Sequence, residues 1–267
     1  MIEAERLTKR YGARTALDDV TFTVRPGRVT GFLGPNGSGK TTTMRCVLGL
    51  ARPTAGRTAV QGVPYAELDV PMRRVGALVD PRARHPGRTA RGHLRAPAQS
   101  NGLPGHRVDE VVELVGLDAV ADERVRGFSL GMGQRLGIAV ALLGDPEVLL
   151  FDEPVNGLDL DGVRWVRQLL RGLAAEGRTV LVSSHRLSEV QDTADHLVVL
   201  GRGRLLADVP MAELLGARAV VRVRTPQTAL LAAGLQRAGG SVAAAADGGS
   251  VACRSSPTVP AGRPGWR

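Results

Sequence analysis

The chain is 267 residues long and carries a net charge of +9, almost all of it arginine, since lysine occurs only at Lys9 and Lys40. This length suits one large α/β domain with a small appendage and is short for two full domains. Apolar residues at 43% allow a proper core, while aromatics at 3% make that core aliphatic and leave single-stranded nucleic acid few stacking platforms.

The arginines are scattered, so the charge reads first as solvated surface, ahead of a nucleic-acid or anionic-membrane footprint. No nucleic-acid partner is expected. Cys46 and Cys253 form neither a CxxC pair nor a metal-ligand spacing. The opening stretch MIEAERLTKRYG lacks a signal-peptide apolar core, and no run reaches the ~18 to 20 apolar residues that cross a bilayer. A soluble protein of the reducing cytosol is the expectation.

Residues 2–7 and 20–24 alternate in strand fashion around a turn at Tyr11-Gly12. Pro26-Gly27 is a turn, and 28–33 reads as a short buried strand. It runs into Gly34-Pro35-Asn36-Gly37-Ser38-Gly39-Lys40-Thr41-Thr42, and 40–50 continues as a helix that residues 52–56 break. The loop fits GxxxxGK[ST] between a strand and a helix, the setting that gives the pattern its meaning. Its glycines let backbone N–H groups converge on phosphates, and the helix N-terminus adds partial positive charge. Lys40 is expected at the β- and γ-phosphates and the Thr41 hydroxyl on Mg²⁺.

Further along, 75–79 is an apolar strand and 80–88 an irregular basic stretch. Helical patterns follow over 89–99, 108–115 and 130–143, the last with Ser129 at its N-cap. Residues 148–151 form a buried strand that ends in Asp152-Glu153. Such a strand presents its terminal acids at the carboxyl edge of a sheet. Asp152 is then a Mg²⁺ partner and Glu153 the general base for the attacking water. An isolated acid pair would mean only an exposed strand end; the phosphate loop gives it function.

Residues 162–176 read as a helix, 179–183 as a strand, 187–194 as a helix and 197–200 as a strand. This alternation argues for a largely parallel sheet covered on both faces. Past about residue 210 the composition changes; 220–223 reads as a strand, 226–238 as a helix and 254–267 as a flexible tail. No internal repeat is visible.

Between and after these motifs lie more specific ones. Phe128-Ser129-Leu130-Gly131-Met132-Gly133-Gln134-Arg135 resembles the signature of ATP-binding-cassette (ABC) proteins, usually LSGGQ followed by QR. Asn156-Gly157-Leu158-Asp159 resembles their D-loop, His185 their switch histidine, and Tyr11 the aromatic residue that stacks on adenine. The order matches from about residue 2 to 215. Within the family, the run FSLGMGQRLGIAVALLGDPEVLLFDEPVNGLD resembles the drug-exporter group that includes daunorubicin and bacitracin resistance systems.

The resemblance implies an α/β P-loop NTPase of ABC type. Its central sheet would be mostly parallel, with an N-terminal antiparallel β-subdomain and a helical signature subdomain over about 85–145. The ATPase domain would span 1–215, a C-terminal extension 216–253 and a tail 254–267. It implies an ATP-hydrolysing subunit on the cytoplasmic face of the membrane, powering a separate transmembrane permease that exports drugs or other small molecules. Two copies would pair head to tail. Ser129, Gly131 and Met132 of one copy would then hold the γ-phosphate bound by the other, Asp159 would cross the interface, and His185 would meet the γ-phosphate in its own copy.

Four departures stand out. Asp80 occupies the Q-loop position, normally glutamine or glutamate, where it would serve Mg²⁺ through water. Gly133 stands where the group usually has a basic residue, Leu160 where a proline follows the D-loop, and the chain is shorter than many members. Two other readings remain open at this stage: a soluble ABC ATPase acting on ribosomes or DNA, and a nucleotide-binding regulatory module that does not hydrolyse.

Overall fold

The computed structural model describes residues 1–80, 83–216, 220–225, 227–237, 241–244 and 250–254. The chain divides into two units, Met1–Val209 and Pro210–Arg267.

The first unit opens with a hairpin of β1 (Ile2–Tyr11) and β2 (Arg14–Val24). The expected turn at Tyr11-Gly12 falls one residue later: Tyr11 ends β1 and pairs with Arg14, and the left-handed Gly12 (φ 55°) starts the reversal. Then come β3 (Arg28–Leu33), α1 (Lys40–Val47) and β4 (Ala55–Val60). The sequence reading took the start of β4 for a mere break. Half of its residues are exposed and they carry no apolar alternation, so it announces itself only by pairing with β1. The order β2-β1-β4 makes the antiparallel subdomain.

Next are α2 (Pro71–Arg74), β5 (Val75–Leu78), α3 (Ala90–Ser100), α4 (His106–Leu114) and α5 (Leu130–Leu142). The unit continues through β6 (Val148–Phe151), α6 (Leu160–Ala175), β7 (Thr179–Ser184), α7 (Leu187–Val190), β8 (His196–Gly201) and β9 (Arg204–Pro210). The helix expected over 187–194 is this single turn. Thr193 and Ala194 both donate to Val190 O, which tightens the chain into β8.

The central sheet runs β5-β6-β7-β3-β8-β9. Its pairs from β5 to β8 are parallel, and β9 returns beside β8 after a two-residue turn, hence antiparallel. Every residue of β6 and β7 is buried, as expected for strands covered on both faces. Ile2, Leu7, Leu17 and Phe22 of the small sheet pack with Phe32, Leu150, Leu181 and Val198 of the large one and with Met44 of α1. That core is aliphatic apart from Phe22 and Phe32, whose centroids lie 5.3 Å apart. It clamps β3 and α1 on either side of the glycine-rich loop.

The second unit holds α8 (Met211–Gly216), β10 (Val220–Arg224), α9 (Thr228–Arg237), β11 (Ser241–Ala244) and β12 (Ser250–Arg254). Its antiparallel sheet has the order β10-β12-β11. The sequence reading found β10 and α9 but neither β11 nor β12. The tail expected over 254–267 lies, beyond Arg254, outside the described residues. No described helix is long and apolar enough to cross a membrane.

Candidate functional site

Strand β3 delivers the chain to the loop from Gly34 to Gly39, and α1 leaves from it. Gly39, the N-cap of α1, has φ 112°, and a Cβ there would lie 2.5 Å from Leu17 Cδ2 and 2.9 Å from Ala16 O. Only glycine fits both the angle and the space. The loop thereby leads directly into the α1 N-terminus, which carries no acidic residue in its first turn.

Lys40 is 6% exposed, and its ammonium donates to Gly34 O at 2.6 Å and Pro35 O at 3.3 Å. A buried cation held by its own loop's carbonyls is poised to exchange them for a stronger anionic partner. Buried Ser38 adds a hydroxyl with no hydrogen-bond partner. Such an orphan beside a helix N-terminus and a buried ammonium fits phosphate oxygens.

The end of β6 lies beside this loop. Asp152 accepts from the Thr41 hydroxyl at 2.5 Å and also from the Ser183 hydroxyl of β7. A hydroxyl and a carboxylate in contact are hard oxygen donors suited to Mg²⁺. Glu153 follows in a left-handed backbone conformation, φ 49°. Its N–H donates to Ser183 Oγ at 3.0 Å, and its carbonyl accepts from Gln134 of α5 at 3.2 Å. These two bonds hold an unfavourable backbone angle. The carboxylate then spans two basic neighbours: Oε1 lies 3.8 Å from Lys40 Nζ, and Oε2 lies 3.2 Å from His185 Nδ1. Asn156 also donates to Oε2.

The structure thus brings Lys40, Thr41, Asp152, Glu153 and His185 into one contiguous network. A cavity of about 320 Å³ opens over it, lined by Asn36, Gly37, Gly39, Lys40, Thr41, Thr42 and Glu153. Tyr11 and Arg14 line it as well. Tyr11 is 48% exposed, with Lys9 Nζ 4.8 Å from its ring centroid.

Ser129, Gly131, Met132 and Asp159 do not line this cavity. Ser129 and Asp159 are helix N-caps: Ser129 Oγ accepts from Met132 N at 3.2 Å, and Asp159 Oδ1 from Gly162 N at 2.8 Å. The D-loop and the signature pack on each other, since a Cβ at Gly131 would meet Leu158 Cδ2 at 3.4 Å. Leu130 and Leu160 beside them are 54% and 78% exposed. Asp80 lines a second cavity, of about 390 Å³, between β5, α3 and α5. Sequence reasoning assigned no role to Ser183, Gln134, Asn156 or Arg14. Ser183 is the penultimate residue of an apolar strand, and only the β6–β7 register brings it beside Asp152.

A P-loop between strand and helix, a hydroxyl–carboxylate pair beside it and a positioned glutamate define a nucleotide-hydrolysing α/β domain. The ABC transporter family profile matches residues 17–156. The Bacitracin transport ATP-binding protein BcrA of Bacillus licheniformis is 42% identical over 217 residues, covering 80% of this chain and 71% of that protein. The Lantibiotic transport ATP-binding protein SrtF of Streptococcus pyogenes is 33% identical over 208 residues, covering 78% and 90%. A solved dimeric bacterial ABC transporter cassette superposes with TM-score 0.73 at 25% identity, covering 79% of this chain and 99% of that one. The chain belongs to the ABC transporter family, as an ATP-binding and ATP-hydrolysing cassette.

Proposed function

We propose that this cassette hydrolyses MgATP as one of a head-to-tail pair and drives a separate membrane permease that exports drugs or other small molecules. The observation that carries the hydrolytic part is the placement of the Glu153 carboxylate between Lys40 and His185.

The loop from Gly34 to Gly39 wraps the phosphates with backbone N–H groups, and Ser38 and Thr42 add hydroxyls. Lys40 leaves Gly34 O and Pro35 O for the β- and γ-phosphate oxygens. Thr41 and Asp152 would hold Mg²⁺, which would supply neutralisation of the phosphate charge. Asp152 N donates to Leu78 O at 2.7 Å, so the end of β5 lies beside the metal pair and Asp80 reaches it through a water. Glu153 accepts a proton from the attacking water, and His185 orients that carboxylate and contacts the γ-phosphate. Tyr11 stacks on adenine.

Asn36, Thr42 and Glu153 face an open cavity, and the signature stands apart from it. Ser129, Gly131 and Met132 therefore serve the γ-phosphate of the opposite copy, through the N-terminus of α5. Asp159 lies at the contact between copies. Exposed Leu130 and Leu160 give that face its apolar surface. The solved cassette above is itself described as a dimer.

The apolar cavity between β5, α3 and α5, with the basic loop beyond Asp80, is the face offered to the permease. Docking there holds the cassette at the cytoplasmic face of the membrane. The names of the bacitracin and lantibiotic relatives support antibiotic export. The test is capture of the tagged chain from its native host in mild detergent. Recovery with an integral membrane protein whose presence raises ATP turnover is expected. Recovery with ribosomes or DNA and no membrane protein would overturn the transport reading.

A further inference from the structure

Tyr11 and Arg14 close the β1–β2 hairpin as a cross-strand pair around Gly12 and Ala13. Directly opposed residues of an antiparallel pair share one face, and both side chains line the cavity over the phosphate loop. The hairpin end thus brings a cation to that cavity together with an aromatic ring. The guanidinium lies against the loop itself: a Cβ built on Gly37 would have Arg14 Nη2 3.9 Å away.

The charges around the cavity leave this cation uncommitted. Among the described residues, its charged lining consists of Arg14, Lys40 and Glu153. Lys40 and Glu153 lie 3.8 Å apart and offset each other. Lys9, the other cation at this end of the hairpin, sits 4.8 Å from the Tyr11 ring centroid and donates to Arg52 O at 2.7 Å. Arg14 is exposed, and its guanidinium has no ion pair or hydrogen bond among the described residues. A free guanidinium fork matches the oxygens of a phosphate. In a loop of this pattern the glycine backbone cradles the α- and β-phosphates, while the lysine reaches the β- and γ-phosphates. Gly37 belongs to that cradle, so Arg14 stands at its α/β end.

We propose that Arg14 is a further nucleotide-binding residue: its guanidinium closes over the α- and β-phosphates and holds ADP as well as ATP, whatever the base. This rests on the reading of the phosphate loop given above. Arg14 then also retards release of the product, because ADP keeps both phosphates that it grips.

The test titrates MgADP and MgGDP into the full chain by calorimetry, which avoids turnover and ATP-driven pairing. Lys40→Ala is the control for the site; if it binds MgADP like the native chain, the reading of the phosphate loop falls whatever Arg14 does. With the control weakened, Arg14→Met raises the Kd for MgADP about tenfold at low salt. The loss shrinks as salt rises. Arg14→Lys, which keeps the charge without the fork, loses less. The ratio of ADP to GDP affinity stays native, since the two share their phosphates. The inference is overturned if Arg14→Met binds MgADP like the native chain, or if Arg14→Met and Arg14→Lys behave alike. A shifted ratio of ADP to GDP affinity overturns it too, since that places Arg14 on the base. A native Tm of each nucleotide-free variant verifies that it is folded.

Discussion

Ser183→Ala removes one hydroxyl that supports both Asp152 and Glu153. Ser183 is 1% exposed, donates to Asp152 and accepts the Glu153 N–H at 3.0 Å. Alanine leaves that N–H buried without a partner, a cost of about 1–3 kcal/mol, and deletes a bond to a charged group of comparable size. Together with the strained φ of 49° at Glu153, which nothing on β7 would then restrain, the expected loss is about 3 kcal/mol. For a unit of this size that lowers Tm by roughly 6–12 °C. Activity falls for a separate reason, since the Glu153 carboxylate loses its fixed position between Lys40 and His185. The assays are thermal unfolding and steady-state ATP hydrolysis, with kcat expected to fall at least about tenfold. KM for ATP, set by the phosphate loop, changes little. A variant with native Tm and native kcat would refute the role given to Ser183.

Two further outcomes concern groups away from the phosphates. Tyr11→Ala removes the aromatic surface lining the ATP cavity and raises KM for ATP about tenfold at nearly constant kcat, as loss of a base-stacking partner does; a fall in kcat alone would contradict the stacking role. His93 has its pKa lowered from the ordinary 6.5 by burial and by Arg88, Arg84 and His85, so the folded chain favours neutral imidazole. Its stabilising contribution is complete above that ordinary value and is lost as pH falls below it. Replacing His93 with Gln therefore flattens the acid side of the stability–pH curve, measured by urea unfolding between about pH 7 and 5.

Much of the fold was legible because apolar runs and glycine turns mark buried parallel strands, as at 28–33 and 148–151. The strands that escaped lack that signal. Half of β4 is exposed, and β9 alternates only between half-buried and exposed residues at the sheet edge. β11 and β12 lie in stretches whose short, small-residue runs show no period. The phosphate loop and the Asp152-Glu153 pair were legible because their chemistry requires residue types at fixed spacing. Ser183 was not, because it acts through contacts made only by tertiary packing. Gly133 shows the difference: as sequence it is a weak point in a helix, and in the fold it packs against the guanidinium of Arg84 from another loop.

Glu153→Gln is the most direct measurement of the central claim, since it keeps the shape of the side chain and removes its capacity to accept a proton. ATP binding should remain near native and hydrolysis should fall by about 10²- to 10⁴-fold, the usual worth of a general base. Native hydrolysis in this variant would contradict the assignment of Glu153 and, with it, the reading of the network that joins Lys40, Asp152 and His185.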